Sequence, residues 1–264
     1  MKEMKAFSLR SVAGQLELRA GSVLAACVLL MGVTAAKANT ITLYDTLNGY
    51  SYGPGNGNYA GELTAYTTPS FLGNGYVAST EQLLPAGGSI TAGTYGFETF
   101  CAQPGVAFTA GTPYTFTTST TLSLGAAWLY QQFATGVLSG YNYSSSGSPS
   151  RNTDAGNLQY ALWLLMGYTT GLPSGWPPPG YTMATDPFYQ AAITEFGSLS
   201  GADAPNSGTY PTELLVLTDA SGNPIQDQFA LTEPTTVPDA ASTLTLLGAA
   251  LTALGFAGRK LRSK

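Results

Sequence analysis

The stretch PYTFTTSTTLSLGAAWLYQQFA, Pro113 to Ala134, changes its period in the middle. Pro113 to Thr118 is a run of β-branched and aromatic residues and reads as a strand. From Ser123 onward Leu129, Gln132 and Phe133 fall on one side of a helical wheel, and Ser123 is placed to cap a helix that runs to about Thr135. Strand therefore gives way to helix at this point in the chain.

On the N-terminal side, Thr40 to Asp45, Tyr59 to Thr67, Gly75 to Ala78 and Thr94 to Phe100 are further β-branched or aromatic runs, separated by Gly, Pro and Asn. On the C-terminal side a second helix is expected from a cap at Thr153 or Asp154 to just before Gly167, and a third from Ala184 to Phe196. Gly140 to Asn152, rich in Ser, Gly and Tyr, reads as a surface loop, and Leu172 to Tyr181 as a stiff, proline-rich connection. Glu213 to Thr218 and Ile225 to Leu231 then form a hairpin across Asp219 to Pro224. The order β, α, β predicts an α+β domain with a helical insert.

Both ends of the chain read as sorting signals. Lys2, Lys5, Arg10 and Arg19 precede an apolar run from Val23 to Val33 and a small-x-small site at Ala36-Lys37-Ala38, so residues 1–38 are expected to be a secretory signal peptide. Leu24-Ala25-Ala26-Cys27 offers a rival lipoprotein box, but its apolar run continues well past the cysteine. Residues 240–258 carry no charge and are long enough to cross a bilayer, and Arg259, Lys260, Arg262 and Lys264 follow directly. The order Val237-Pro238-Asp239, apolar helix, basic cluster resembles the PEP-CTERM sorting signal in its VPD variant. That resemblance implies a tail over 233–264 with its motif at 237–243, an exosortase-type protease as partner, transient residence in the inner membrane, and delivery to the surface or extracellular matrix of a Gram-negative bacterium.

Between the two signals lies the expected ectodomain, residues 39–232. From Asn39 to Thr236 there are twelve carboxylates against one base, Arg151, and no lysine. Such an acidic surface excludes nucleic acid and anionic lipid as partners. The chain has no histidine, which removes Ser-His-Asp and Cys-His catalysis, and two cysteines cannot build a zinc cage, so neither metal nor cofactor is expected.

Once the signal peptide leaves, Cys101 is the only cysteine, and a lone thiol in an oxidising compartment is a small buried hydrophobe, an interchain partner, or a sulfur already committed to another bond. Gln159 shares a helix stripe with Leu162, Trp163 and Met166, which predicts a buried carboxamide. Such a group must be hydrogen-bonded or consumed, because leaving it unpaired costs about 1–3 kcal/mol. Attack of the Cys101 sulfur on Gln159 with loss of ammonia would remove both groups at once. The ordinary alternative is a hydrogen bond from Gln159 to a backbone carbonyl.

Phe100-Cys101-Ala102 and Leu158-Gln159-Tyr160-Ala161-Leu162-Trp163 resemble the two motifs of the bacterial surface thioester domains. That resemblance implies antiparallel β-structure, sandwich- or barrel-like, with an inserted helical subdomain. It further implies an internal Cys101–Gln159 thioester supported by Phe100, Leu158, Ala161 and Trp163. It also implies single-turnover capture of an amine-bearing surface or matrix macromolecule, as in an adhesin, rather than turnover catalysis. A lysine-free domain suits a stored electrophile, because it holds no side-chain amine to consume the bond. Phe97, Phe100, Trp128, Tyr130 and Trp163 are the candidate walls against water, and Glu98 and Asp154 the carboxylates nearest in sequence, Asp154 having a helix cap as its simpler role. The contrasting expectation is a non-covalent structural or glycan-binding matrix component, whose loops offer Tyr, Gly, Asn and Ser.

Overall fold

The computed structural model describes residues 38–44, 51–52, 60–87, 90–144, 150–173, 176–177 and 180–232. The expected signal peptide and the sorting tail, with Val237, Pro238, Asp239, Arg259, Lys260 and Arg262, lie outside them. Among the described residues no helix is long and apolar enough to cross a membrane.

The chain is α+β. Seven strands form one antiparallel sheet in the order β5-β6-β4-β1-β7-β8-β9, and β2 (Ser51–Tyr52) pairs with β3 (Ala60–Gly61) in a small second sheet. The seven are β1 (Thr40–Tyr44), β4 (Leu63–Thr68), β5 (Glu81–Leu83), β6 (Tyr95–Thr99), β7 (Pro113–Ser119), β8 (Thr212–Thr218) and β9 (Gln228–Leu231). Most were expected, and β7 shows the cause: Tyr114 and Phe116 are buried while Pro113, Thr115 and Thr117 face solvent. The sheet closes on itself at one end. Beyond β6, Phe229 N–H donates to Phe100 O and Ala102 N–H to Asp227 O, so the far strand β9 meets the continuation of β6.

Among the described residues four α-helices follow the strand half: α1 (Leu124–Ala134), α2 (Arg151–Leu165), α3 (Pro187–Glu195) and the short α4 (Leu199–Ala202). Ser123 caps α1 as expected, its Oγ accepting from Ala126 N–H at 3.1 Å. Phe133 meets Phe100 edge-on at 4.9 Å, and Tyr130 stacks on Phe229 at 5.6 Å, so α1 seals one face of β6 and β9. Each such ring removed from water contributes roughly 1.5–3 kcal/mol.

Three expectations are corrected. The helix bearing Gln159 is capped by Ser150, whose Oγ accepts from Thr153 N–H, and not by Thr153 or Asp154. A serine one residue before the helix leaves both of those inside the first turn. Gly75 to Ala78 is not a strand: 3-10 turns at Leu72–Asn74 and Ala78–Thr80 flank it, because Gly75 turns at φ 108° and Tyr76 folds inward to accept Leu231 N–H. The expected strand from Tyr59 to Thr67 is interrupted at Gly61, where φ 109° sets β3 and β4 apart.

Candidate functional site

Cys101 follows β6 at the closure of the sheet and Gln159 sits midway along α2; both are fully buried and they touch. The Gln159 side chain lies along the backbone edge of Cys101. Its Oε1 accepts Cys101 N–H at 2.9 Å and its Nε2 donates to Cys101 O at 2.7 Å. A third bond, Gly61 N–H to Oε1 at 3.4 Å, comes from the end of β3. The carboxamide thus replaces a strand partner where β3 and β4 part. The buried amide is satisfied in the ordinary way, by a backbone carbonyl, although that carbonyl belongs to Cys101. An unpaired amide therefore no longer supplies a reason for its consumption.

The sulfur has a different neighbour. Cys101 pairs with Gln228 of β9 across the antiparallel closure, and the flanking bonds, Phe229 N–H to Phe100 O and Ala102 N–H to Asp227 O, make this a non-hydrogen-bonded pair. In such pairs the two side chains rise on the same face and lie closest together. Phe100 and Phe229 point into the helices, so Cys101 and Gln228, one residue along, emerge on the other face, which Gln228 shares with its β8 partner Leu215. Gln228 is fully buried; its Nε2 donates to Gln226 O at 3.2 Å, and its Oε1 has no hydrogen-bond partner. Burial pushes the Cys101 thiol up to about 12, partly offset by a hydrogen bond from Gln228. The sulfur is therefore a protected thiol near neutral pH, not a free thiolate.

Gln228 escaped the sequence reading. Its signal was a carboxamide beside Phe229-Ala230-Leu231 in the second arm of the expected hairpin, in a strand that the structure buries at all four positions.

Phe100, Leu158, Ala161 and Trp163 are all buried beside the pair in sequence. Trp163 packs edge-on against Trp176 at 4.9 Å, and its Nε1 has no hydrogen-bond partner. Among the proposed walls, Phe97 and Tyr130 are buried, whereas Trp128 is partly buried and packs against Phe196 at 6.2 Å.

Both carboxylates singled out from the sequence accept a hydrogen bond. Asp154 accepts Asn142 N–H at 2.8 Å. Glu98 is buried against Thr64 Oγ1 at 3.1 Å, and burial together with the neighbouring Glu62 carboxylate holds it well above the usual carboxylate range. Arg151, the one base between Asn39 and Thr236, is buried and forks onto Glu62, Nε to Oε2 at 2.7 Å and Nη2 to Oε1 at 2.5 Å. The same guanidinium donates to the carbonyls of Tyr143 and Ser79. Because Glu62 follows Gly61 and Arg151 lies two turns before Gln159 on α2, this ion pair fixes the segment that presents Gly61 N–H to Gln159.

A cavity of about 660 Å³ opens where the β6–β9 pairing ends, lined on one side by Ala102, Gln103 and Asp227. Among the described residues no group of His, Cys, Asp or Glu is arranged to hold a metal ion. No family model, no curated protein and no solved structure matches this chain.

Proposed function

We propose that this is an exported surface or matrix protein, adhesin-like, whose Cys101 stores a carboxamide side chain as an internal thioester and spends it once on an amine. One observation carries the reading: the chain's one described cysteine sits fully buried between two glutamines from distant segments, its main chain clamped by Gln159 and its side chain facing Gln228. The geometry favours Gln228 as the acyl donor. It shares the sulfur's face, whereas Gln159 is spent on backbone bonds that would hold Cys101 steady during reaction. Gln159, which the motif resemblance points to, is the competing donor.

The Cys101 sulfur attacks the side-chain carbonyl carbon of the glutamine, the carbon–nitrogen bond breaks, and ammonia departs with the thiol proton. An incoming primary amine later attacks the same carbon; a new amide forms, the carbon–sulfur bond breaks, and the sulfur leaves as the thiol. Burial keeps water from the stored bond, and the absence of lysine from residues 39–236 denies it an internal amine. The sorting tail supplies the expected route to the cell surface through an exosortase-type protease.

Intact mass of the purified ectodomain is the test. The protein should weigh one ammonia less than its sequence, gain one methylamine on treatment, and keep its full mass as Cys101→Ser. Fragment mapping then places the methylamide on Gln228 or on Gln159. Full mass with one titratable thiol after unfolding refutes the thioester. That result supports the second reading, a non-covalent structural or glycan-binding matrix protein, which the satisfied Gln159 amide favours.

A further inference from the structure

The hairpin that carries Gln228 changes register just before it. From Leu215 to Leu217 β8 advances two residues; from Gln228, the partner of Leu215, to Ile225, which donates its N–H to Leu217 O at 2.9 Å, the other arm spans three. The extra residue makes a β-bulge, with Gln226 and Asp227 both standing opposite Val216. Nearer the turn Thr218 pairs with Pro224, and Asp219 Oδ1 fixes the turn by accepting the N–H groups of Ser221 and Asn223 at 2.8 Å each. Continued without a bulge, that register would set Asp227 opposite Leu215 and Gln228 opposite Leu214. Gln228 would then face the helices, and the carboxylate of Asp227 would take its place beside Cys101.

A bulge leaves main-chain groups without their ladder partners, and here side chains replace them. Leu217 N–H goes to Asp227 Oδ1 at 3.1 Å instead of to a carbonyl of the facing arm. Asp227 N–H goes to Gln103 Oε1 at 3.1 Å, while Gln103 Nε2 donates to Asp227 Oδ2 at 2.5 Å. Asp227, itself buried, is therefore tied to β8 through one oxygen and to the continuation of β6 through the other. Gln226 O, released from the ladder, accepts Gln228 Nε2 at 3.2 Å. Without the Asp227 carboxylate the bulge would keep an unpaired N–H at Leu217, which is buried.

We propose that Asp227 is a positioning residue for the Cys101–Gln228 reaction, an inference that rests on the thioester reading: by holding the bulge it sets Gln228, and not its own side chain, opposite the sulfur. Two demands on the strand conflict. Burial of Phe229 under α1 requires the register that pairs Leu215 with Gln228, and the turn at Asp219 starts the strand one residue away from it. The bulge absorbs that residue, and Asp227 supplies the bonds that make it tolerable inside the protein. The bulge also orients the donor. The carbonyl of Gln226 holds the carboxamide nitrogen of Gln228, the atom that leaves as ammonia, and so fixes the plane in which the sulfur meets the acyl carbon.

Disulfide trapping reads the register without needing the thioester. The Cα atoms of a non-hydrogen-bonded antiparallel pair lie about 4.5 Å apart, within the roughly 4.4–6.8 Å that a disulfide spans. Gln228→Cys should therefore bond to Cys101 on refolding in a glutathione buffer, leaving no titratable thiol after unfolding. Adding Asp227→Ala should lower the crosslinked share of the folded protein about tenfold, the loss of one buried hydrogen bond. Asp227→Asn keeps the acceptor for Leu217 N–H and should restore most of the crosslink, a rescue that a general loss of stability would not give. Gln103→Leu, at a partly buried position, should act in the same direction and serves where Asp227→Ala does not fold. With Gln228 in place, the same changes should slow the loss of ammonia in parallel, read by intact mass over time. Crosslinking and ammonia loss at wild-type levels in Asp227→Ala, or in Gln103→Leu where it is the variant that folds, overturn the positioning role and leave the thioester standing. A wild type at full mass overturns the thioester, and this proposal with it.

Discussion

Arg151→Met tests how the site is held. The wild-type guanidinium makes two bonds to Glu62, whose side chain is fully buried, and two to the carbonyls of Ser79 and Tyr143. Methionine keeps the stem and deletes every donor. Glu62 is left without its counterion beside Glu98, another buried carboxylate, and removing one partner of such a pair costs about 3–5 kcal/mol. Deleting the charge at both ends, in Arg151→Met/Glu62→Leu, removes the uncompensated carboxylate and should cost about 2 kcal/mol, less than the single change. Urea denaturation at pH 5 and pH 8 measures both, read as a fall in midpoint at constant slope. The pH sense follows from the carboxylates. Burial already raises Glu62 and Glu98 in the folded state, and without Arg151 they rise further above their unfolded values. A folded protein that holds protons more tightly than its unfolded chain loses stability as pH rises, so the deficit of Arg151→Met against wild type should be larger at pH 8 than at pH 5. A single variant within about 1 kcal/mol of wild type, or a double variant no more stable than the single, would refute a dominant charge pairing.

Two further outcomes follow from single contacts. Gln159→Leu strips partners from Cys101 N–H, Cys101 O and Gly61 N–H, all inside the protein, and should cost at least about 2 kcal/mol in the same denaturation assay; an unchanged midpoint would remove Gln159 from the clamp. Asp186 caps α3 through Oδ1 while its buried Oδ2 has no hydrogen-bond partner, and burial raises the carboxyl to about 7. Its neutral form is the one the fold favours, so this group's contribution declines as pH rises from about 4 to about 7 and is then flat. Asp186→Asn keeps the cap oxygen and should abolish that decline; a melting-temperature profile with the wild-type slope between pH 4 and 7 would count against it.

The amino-acid sequence by itself determined what neighbouring residues settle among themselves. Ser123 and the spacing of Leu129 and Phe133 place α1, and the β-branched and aromatic run from Pro113 places β7, because caps and periods act over a single turn or a single pleat; the stripe of Gln159, Leu162 and Trp163 is buried, but so is every other side of α2 from Asp154 to Leu165. Boundaries failed where a partner far away decided them: Tyr76 turns inward toward Leu231, and Arg151, which falls inside the expected surface loop Gly140 to Asn152, is drawn under the surface by Glu62. Cys101 and Gln159 could be singled out, but their relation could not, since both the clamp and the backbone satisfaction of the amide depend on Gly61 and the parting of β3 from β4. Gln228 shows the limit most clearly. Whether it faces the sulfur or the helices depends on the register of β9 against the end of β6, and a one-residue slip would turn it to the other face. That register is set by the burial of Phe100 and Phe229 under α1, so only the folded chain could decide which glutamine meets the thiol.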